Sequence, residues 1–368
     1  MTFATKADAL DVQPEVPDDL GQLARRRQAS VWVGGLSIGL LVTLVLGVGI
    51  GAVPIALSTV VEIVGHHLFG SPDVATWTPA QDSIVWQLRL PRVLLGAAVG
   101  AALAVCGVAL QAMVRNLLAD PYLLGVTSGA STGAAAAILF GFGAGFGENA
   151  LSASAFLGAL GASVAVFVVA RAGGRITSLR LLMAGVAVGY ALYAATSFLI
   201  FASDSAEGSR SVLFWLLGSL GLARWGVPLA IVLVVVSLTI AALIVWSRQL
   251  DALAIGDETA HTLGVSPTRF RIQLLVVVSL CIGAVVAASG GIGFVGLVIP
   301  HVARRFVGAV HSRSIPVAAL IGAIFLVWAD VAARVLLEPR ELPIGIITAL
   351  VGAPFLLILV RRFHAATA

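Results

Sequence analysis

Few residues in this chain could do covalent chemistry, and their spacing argues against most of it. Cys106 and Cys281 both fall inside apolar runs without metal-ligand spacing and read as small packing residues. Apart from the adjacent His66 and His67, the six histidines are scattered and form no metal cluster. GGIGFVGLVIPH, from Gly290 to His301, superficially suggests a phosphate loop, but it sits between apolar segments and carries no lysine. Lys6 is the single lysine, so no Walker A motif can exist here and any ATP must be bound by another chain. No catalytic residue, metal site or cofactor is expected. Asp330 and Arg334, four apart in an apolar run, share a helical face and can pair, which reads as a structural ion pair.

The remaining polar feature is the stretch Asp251 to Arg271, DALAIGDETAHTLGVSPTRFR, the longest polar interruption between two segments able to cross a bilayer. It must lie outside the lipid. Asp251 opens ALAI and Gly256 closes it; Asp257 opens ETAHTL and Gly264 closes it. Asp accepts hydrogen bonds from a first turn and Gly adopts the left-handed conformation that ends a helix, so two short helices in tandem are expected. Pro267 blocks continuation, and Arg269 and Arg271 mark the next apolar run. A rigid helix pair suits presentation to another protein; on spacing alone, a solvated loop is the alternative.

The elements that position these residues follow from composition. Of 368 residues 59% are apolar and 11% charged, with mean hydropathy +1.05, so the chain is a polytopic membrane protein. Its net charge of +4 is no nucleic-acid signal, because the arginines fall mostly at the ends of apolar runs. Residues 1–28 form a polar tail with Pro14 and Pro17, expected to be disordered and cytoplasmic; residues 29–368 form the membrane domain. Arg25 to Arg27 precede an uncharged run too long for a signal peptide, expected to be an uncleaved first span. Ten spans are expected near 31–53, 88–110, 124–142, 151–170, 180–202, 226–246, 271–290, 293–308, 315–337 and 343–360, with both termini cytoplasmic. All 22 basic residues except Arg89, Arg92, Arg210, Arg224, Arg334 and Arg340 then fall inside. Small residues at four-residue spacing, such as Gly96, Gly100 and Ala104, Gly129 and Gly133, or Gly185 and Gly189, let helices approach closely. Between Asp204 and Trp225, SVLFWLLGSLG is too short to cross and should lie along the outer surface.

RLPRVLLGAAVGAAL at 89, LADPYLLGV at 118, LLMAGVAVG at 181, GDETAHTLGV at 256, GGIGFVGLVIPHVAR at 290, ADVAAR at 329 and ELPIGIITALVGAPFLL at 341 occur in collinear order. Together they resemble the permease subunits of bacterial ABC importers for ferric siderophores, haem and vitamin B12. Departures are Leu117, where proline is usual after Asn116, Val310 in place of an acidic residue before His311, and the extra N-terminal tail.

The resemblance implies an all-α, ten-helix inner-membrane permease that pairs with a second copy or a paralogue. It also implies two cytoplasmic ATPase subunits and an extracytoplasmic substrate-binding protein. Asp251, Ala252, Leu253, Gly256, Asp257, Glu258, His261, Leu263 and Gly264 would couple to the ATPases. Arg89, Arg92 and Arg334 would form a basic pocket that docks the binding protein, lipid phosphates being their plainer partners. Thr177 and Ser178 would form a cytoplasmic gate, an ordinary helix cap being the plainer reading. Met183, Tyr190, Ser197 and Phe198 would line part of the path. A ferric siderophore is the expected cargo, with haem and cobalamin as alternatives. An ion-coupled carrier is disfavoured, because it would need further unpaired acids within the spans.

Overall fold

The computed structural model describes residues 22–367 except 173, 175 and 176, and among them every regular element is helical. In chain order these are α1 (Gln22–Gly49), α2 (Leu57–Phe69), α3 (Pro79–Asp82), α4 (Leu90–Val114), α5 (Val126–Phe140), α6 (Ala150–Arg171), α7 (Ser178–Phe201) and α8 (Ala206–Leu216). They continue as α9 (Val227–Val245), α10 (Ser247–Ile255), α11 (Asp257–Thr262), α12 (Pro267–Ser289), α13 (Val295–Val307), α14 (His311–Val335) and α15 (Ile344–Thr367). Seven helical stretches among the described residues are long and apolar enough to cross a membrane, and they fall on the first, second, fourth, fifth, sixth, seventh and ninth expected spans. The third and eighth meet α5 and α13, of 15 and 13 residues, and the tenth meets α15, whose apolar part is Ile344–Leu359.

α4 is the central element. It is apolar on every side and buried along almost its whole length, as a helix surrounded by other helices must be. α9, α12, α13 and α14 pack around it. The small-residue stripes mark the closest approaches. A methyl group on Gly100 would collide with the carbonyl of Gly322 in α14, and one on Gly107 with the carbonyl of Gly296 in α13. Gly129 and Gly133 of α5 meet Gly158 and Ser154 of α6 in the same way.

Several boundaries differ from expectation. α1 starts at Gln22, so Arg25 to Arg27 lie inside a helix and not in the tail, most of which (1–21) falls outside the described residues. The second span begins earlier than 88: Thr78 and Gln81 form a reciprocal cap on α3, and the helix continues through a π-helical turn, Ser83–Arg89, into α4. The wider turn before Pro91 accommodates a residue that has no N–H to offer and whose ring crowds the preceding turn. α2 lies in a segment assigned to no helix. Of the segment expected along the outer surface, 211–221, only 211–216 are helical, as the end of α8, which starts earlier at Ala206 with Ser205 Oγ accepting from Gly208 N at 2.9 Å, and Trp225 Nε1 then donates to the Trp86 carbonyl at 2.6 Å.

Candidate functional site

α10 and α11 are the tandem helices, separated by Gly256 (φ 155°) and followed by Gly264 (φ 78°), conformations that exact no penalty from glycine. Their starts differ from expectation. α10 begins at Ser247, which puts Asp251 one turn inside, where it caps no turn of its own helix. Asp251 Oδ1 instead accepts from the His311 backbone N–H at 2.9 Å and lies 2.6 Å from His311 Nδ1, so it closes the start of α14. Gly256 occupies the cap position of α11, and Asp257, expected as the cap, accepts from none of its amides.

Asp257 faces Arg271. The guanidinium meets the carboxylate edge-on, at 2.9 and 2.7 Å. Arg271 is 1% exposed. Its Nη2 also donates to Ser178 Oγ at 3.2 Å and its Nε to the Met113 carbonyl at 3.5 Å, while Ser178 Oγ donates to that carbonyl at 3.1 Å. One buried cation thus joins the second short helix, the first residue of α7 and the end of α4. Arg271's hydrogen bonds, opposed by partial burial and aided by its charge and that of Arg115, hold the Asp257 carboxyl below the usual carboxylate range.

As a sequence signal Arg271 only marks the next span, although periodicity distinguishes it from Arg269. Along α12 the buried positions Pro267, Phe270, Arg271, Leu274, Leu275 and Val278 repeat at helical spacing, and Arg269 falls on the open face. Of the expected coupling residues, Glu258, His261, Leu263 and Gly264 are exposed. Ala252 and Leu253 are buried and anchor α10, and Ile255, not singled out from the sequence, is 69% exposed. Thr177 is a helix cap, its Oγ1 accepting from Arg180 N at 3.3 Å.

At the other end of the molecule, the three arginines expected to be free for docking are turned inward. Arg89 donates to the carbonyls of Val48 and Gly49, both at 3.0 Å, and of Val53 at 2.6 Å. Arg334 donates to Ile50 and Gly47, both at 2.9 Å. The reason is physical: the last carbonyls of α1 have no donors of their own, and two guanidinium groups supply them. Asp330, 2% exposed, is 3.0 Å from Arg334 Nε and 2.9 Å from Arg92 Nη2, so the expected i,i+4 pair is present with a third member. Arg92 also reaches Glu341, half-exposed, at 2.9 Å, and is the arginine of the three with a surface partner.

Met183, Tyr190, Ser197 and Phe198 are exposed on α7. With Leu179, Val186, Tyr193 and Phe201 they make most of an outward stripe at steps of three and four residues. α15 likewise exposes Leu350, Val351, Leu357 and Ile358. Between these helices, the DPY and GGIGF motifs meet. The Tyr122 hydroxyl donates to the Ile292 carbonyl at 2.6 Å and accepts from its N–H at 2.5 Å.

Comparison with known proteins fits this geometry. The profile of the FecCD transport family matches residues 39–362. The chain is 44% identical over 294 residues to the cobalamin import system permease protein BtuC of Halobacterium salinarum, covering 80% of this chain and 76% of that one. It is 40% identical over 293 residues to the hemin transport system permease protein HmuU of Yersinia pestis, covering 78% and 86%. A solved structure of a metal-chelate type ABC transporter in an inward-facing conformation matches 90% of this chain and 98% of its own, at 34% identity and a TM-score of 0.77.

Proposed function

The chain belongs to the FecCD transport family and is a multi-pass permease subunit of an ABC importer whose ATP hydrolysis resides in a separate subunit, and we propose that it carries a ferric siderophore. The exposed stripe of α7 carries this reading. Met183, Tyr190, Tyr193, Ser197 and Phe198 are apolar, aromatic or hydroxyl-bearing, and none is charged. Such a wall lets a bulky, already coordinated metal pass without being held and offers a bare oxyanion no counter-charge. The likeness to a metal-chelate type transporter supports the same class. The 44% identity to a cobalamin import permease favours a corrinoid as the second reading.

In this reading the chain crosses the membrane ten times with both termini in the cytoplasm, and two permeases meet along α7 and α15. α10 and α11 seat in the ATPases through Ile255, Glu258, His261 and Leu263, and Arg271 passes their displacement to the gate at Ser178. The binding protein docks at the opposite rim near Arg92 and Glu341, with Arg89 and Arg334 as internal supports. Uptake of labelled ferric siderophore, haem and cobalamin by proteoliposomes holding the assembled importer tests this. ATP-dependent siderophore uptake is expected. Cobalamin or haem uptake alone would reassign the cargo, and uptake without the ATPase under an ion gradient would make the chain a secondary carrier.

A further inference from the structure

At the end of the molecule that carries α10, a cleft of about 690 Å³ is lined by Arg25 and Arg26 from α1, Ser247, Arg248 and Asp251 from α10, and Val310, Ser312 and Arg313 where α14 begins. Four guanidinium groups from three elements converge there. None of them lies within ion-pair distance of a carboxylate among the described residues. The one acid in the lining, Asp251, is already bonded to the backbone and ring of His311. Such a concentration of unneutralised positive charge repels itself and is stabilised by an anion with several acceptor oxygens, which guanidinium groups bind through paired N–H donors.

The position of the cleft indicates what supplies that anion. α1 is open on the side that starts just past the arginines: Val31, Ile38 and Leu41 are 68%, 66% and 64% exposed. Trp32 packs on Phe306 of α13 with ring centroids 4.5 Å apart, a tryptophan at the polar edge of an apolar helix. The cleft therefore lies where the lipid-facing side of α1 meets its charged end, at headgroup depth. The exposed tip of the helix pair at Ile255 lies seven residues, roughly 10 Å along α10, beyond Arg248, and one turn beyond Asp251, so the arginines of the cleft sit behind the tip offered to a soluble partner. The geometry points to a binding site for the phosphate of an acidic membrane lipid, seated between α1, α10 and α14, beside the first of the two short helices. Basic pockets between helices on the inner side of a membrane hold phosphate headgroups by this chemistry.

The test uses the importer assembled with its ATPase in nanodiscs of phosphatidylcholine with added cardiolipin, reading retained lipid by native mass spectrometry. Wild type should retain cardiolipin over phosphatidylcholine. Replacement of Arg26, Arg248 and Arg313 by glutamine should lower that retention about tenfold, each arginine at an anionic surface contributing on the order of fivefold before screening. A control with Arg210→Gln and Arg340→Gln should retain cardiolipin as wild type does. Should the triple variant fail to assemble, Arg313→Gln alone gives the same reading at smaller amplitude. Equal retention in wild type and variants overturns the proposal. So does binding of inorganic phosphate by wild type in pure phosphatidylcholine without any cardiolipin preference, which would make the ligand a soluble anion. Loss of the ATPase from the triple variant with cardiolipin retention unchanged would assign the cleft to the subunit interface and equally sink the lipid reading.

Discussion

A guanidinium with 1% of its surface open, such as that of Arg271, is tolerable only where its donors are met, and here a carboxylate, a hydroxyl and a carbonyl meet them. Removing the acid is the informative change. Asp257→Asn leaves a buried charge short of its counter-ion, which costs about 3–5 kcal/mol in fully buried pairs and less here, since Asp257 is 38% exposed. The carboxyl is held below its ordinary value, so its contribution to stability is fully present above about pH 4, the unfolded value, and is lost as pH falls through the lower folded one. A thermal melt of Asp257→Asn should therefore fall below wild type at neutral pH and converge on it in strong acid. Arg271→Gln is expected to keep ATPase association and basal hydrolysis while lowering cargo moved per ATP at least about fivefold, the lower end of ordinary coupling energies. Undiminished transport per ATP in a folded variant would leave Arg271 a purely structural residue. Arg271 was legible in principle from the buried spacing of α12. The inward turn of Arg89 and Arg334 was not, because it depends on where α1 ends in space, and no local pattern encodes that.

Among the elements, α10 and α11 were legible because glycine at a positive φ leaves a mark in sequence that few other residues can imitate. Their starts were misplaced for the opposite reason. An aspartate before an apolar run signals a cap, but Asp251 spends its oxygen on His311, sixty residues away, a partner that propensity cannot see. The exposed residues Ile255 and Leu263 belong to the open face of this pair. Ile255→Asp with Leu263→Asp should leave the fold intact and abolish copurification of the ATPase. Gly264 is best left unchanged in that experiment, since any side chain at φ 78° strains the turn whatever it touches. Retained ATPase in the double variant would remove the helix pair from the interface.

For the whole molecule, hydropathy located the seven helical stretches among the described residues that are long and apolar enough to cross a membrane, whereas the other three expected spans meet α5, α13 and the apolar part of α15, Ile344–Leu359, each too short for that by length alone. Arg25, Arg26, Arg248 and Arg313 line one cleft with α10, and Arg115 and Arg271 face Asp257 of α11, whereas Arg89 and Arg334 bond the end of α1 and Arg92 pairs with Asp330. A cysteine at Val74, 75% exposed beyond α2, should react with an impermeant thiol reagent on intact cells, and one at Thr259 only after permeabilisation. Cys106 and Cys281 are buried and not disulfide-linked, so native thiols give a low background. The reverse labelling order would invert the orientation. The glycine contacts that fix α4 against α13 and α14 lie on buried faces, whereas the outward stripe of α7 is largely uncovered within the chain, with Tyr190, Phe198 and Phe201 73%, 66% and 88% exposed. Substitution there costs the fold of the single chain little, within the limits set by the second permease proposed to meet it along α7. A scaffold divided in this way is evolvable: side chains along a single helix can change what the wall offers to a cargo without first acquiring a compensating change in the core.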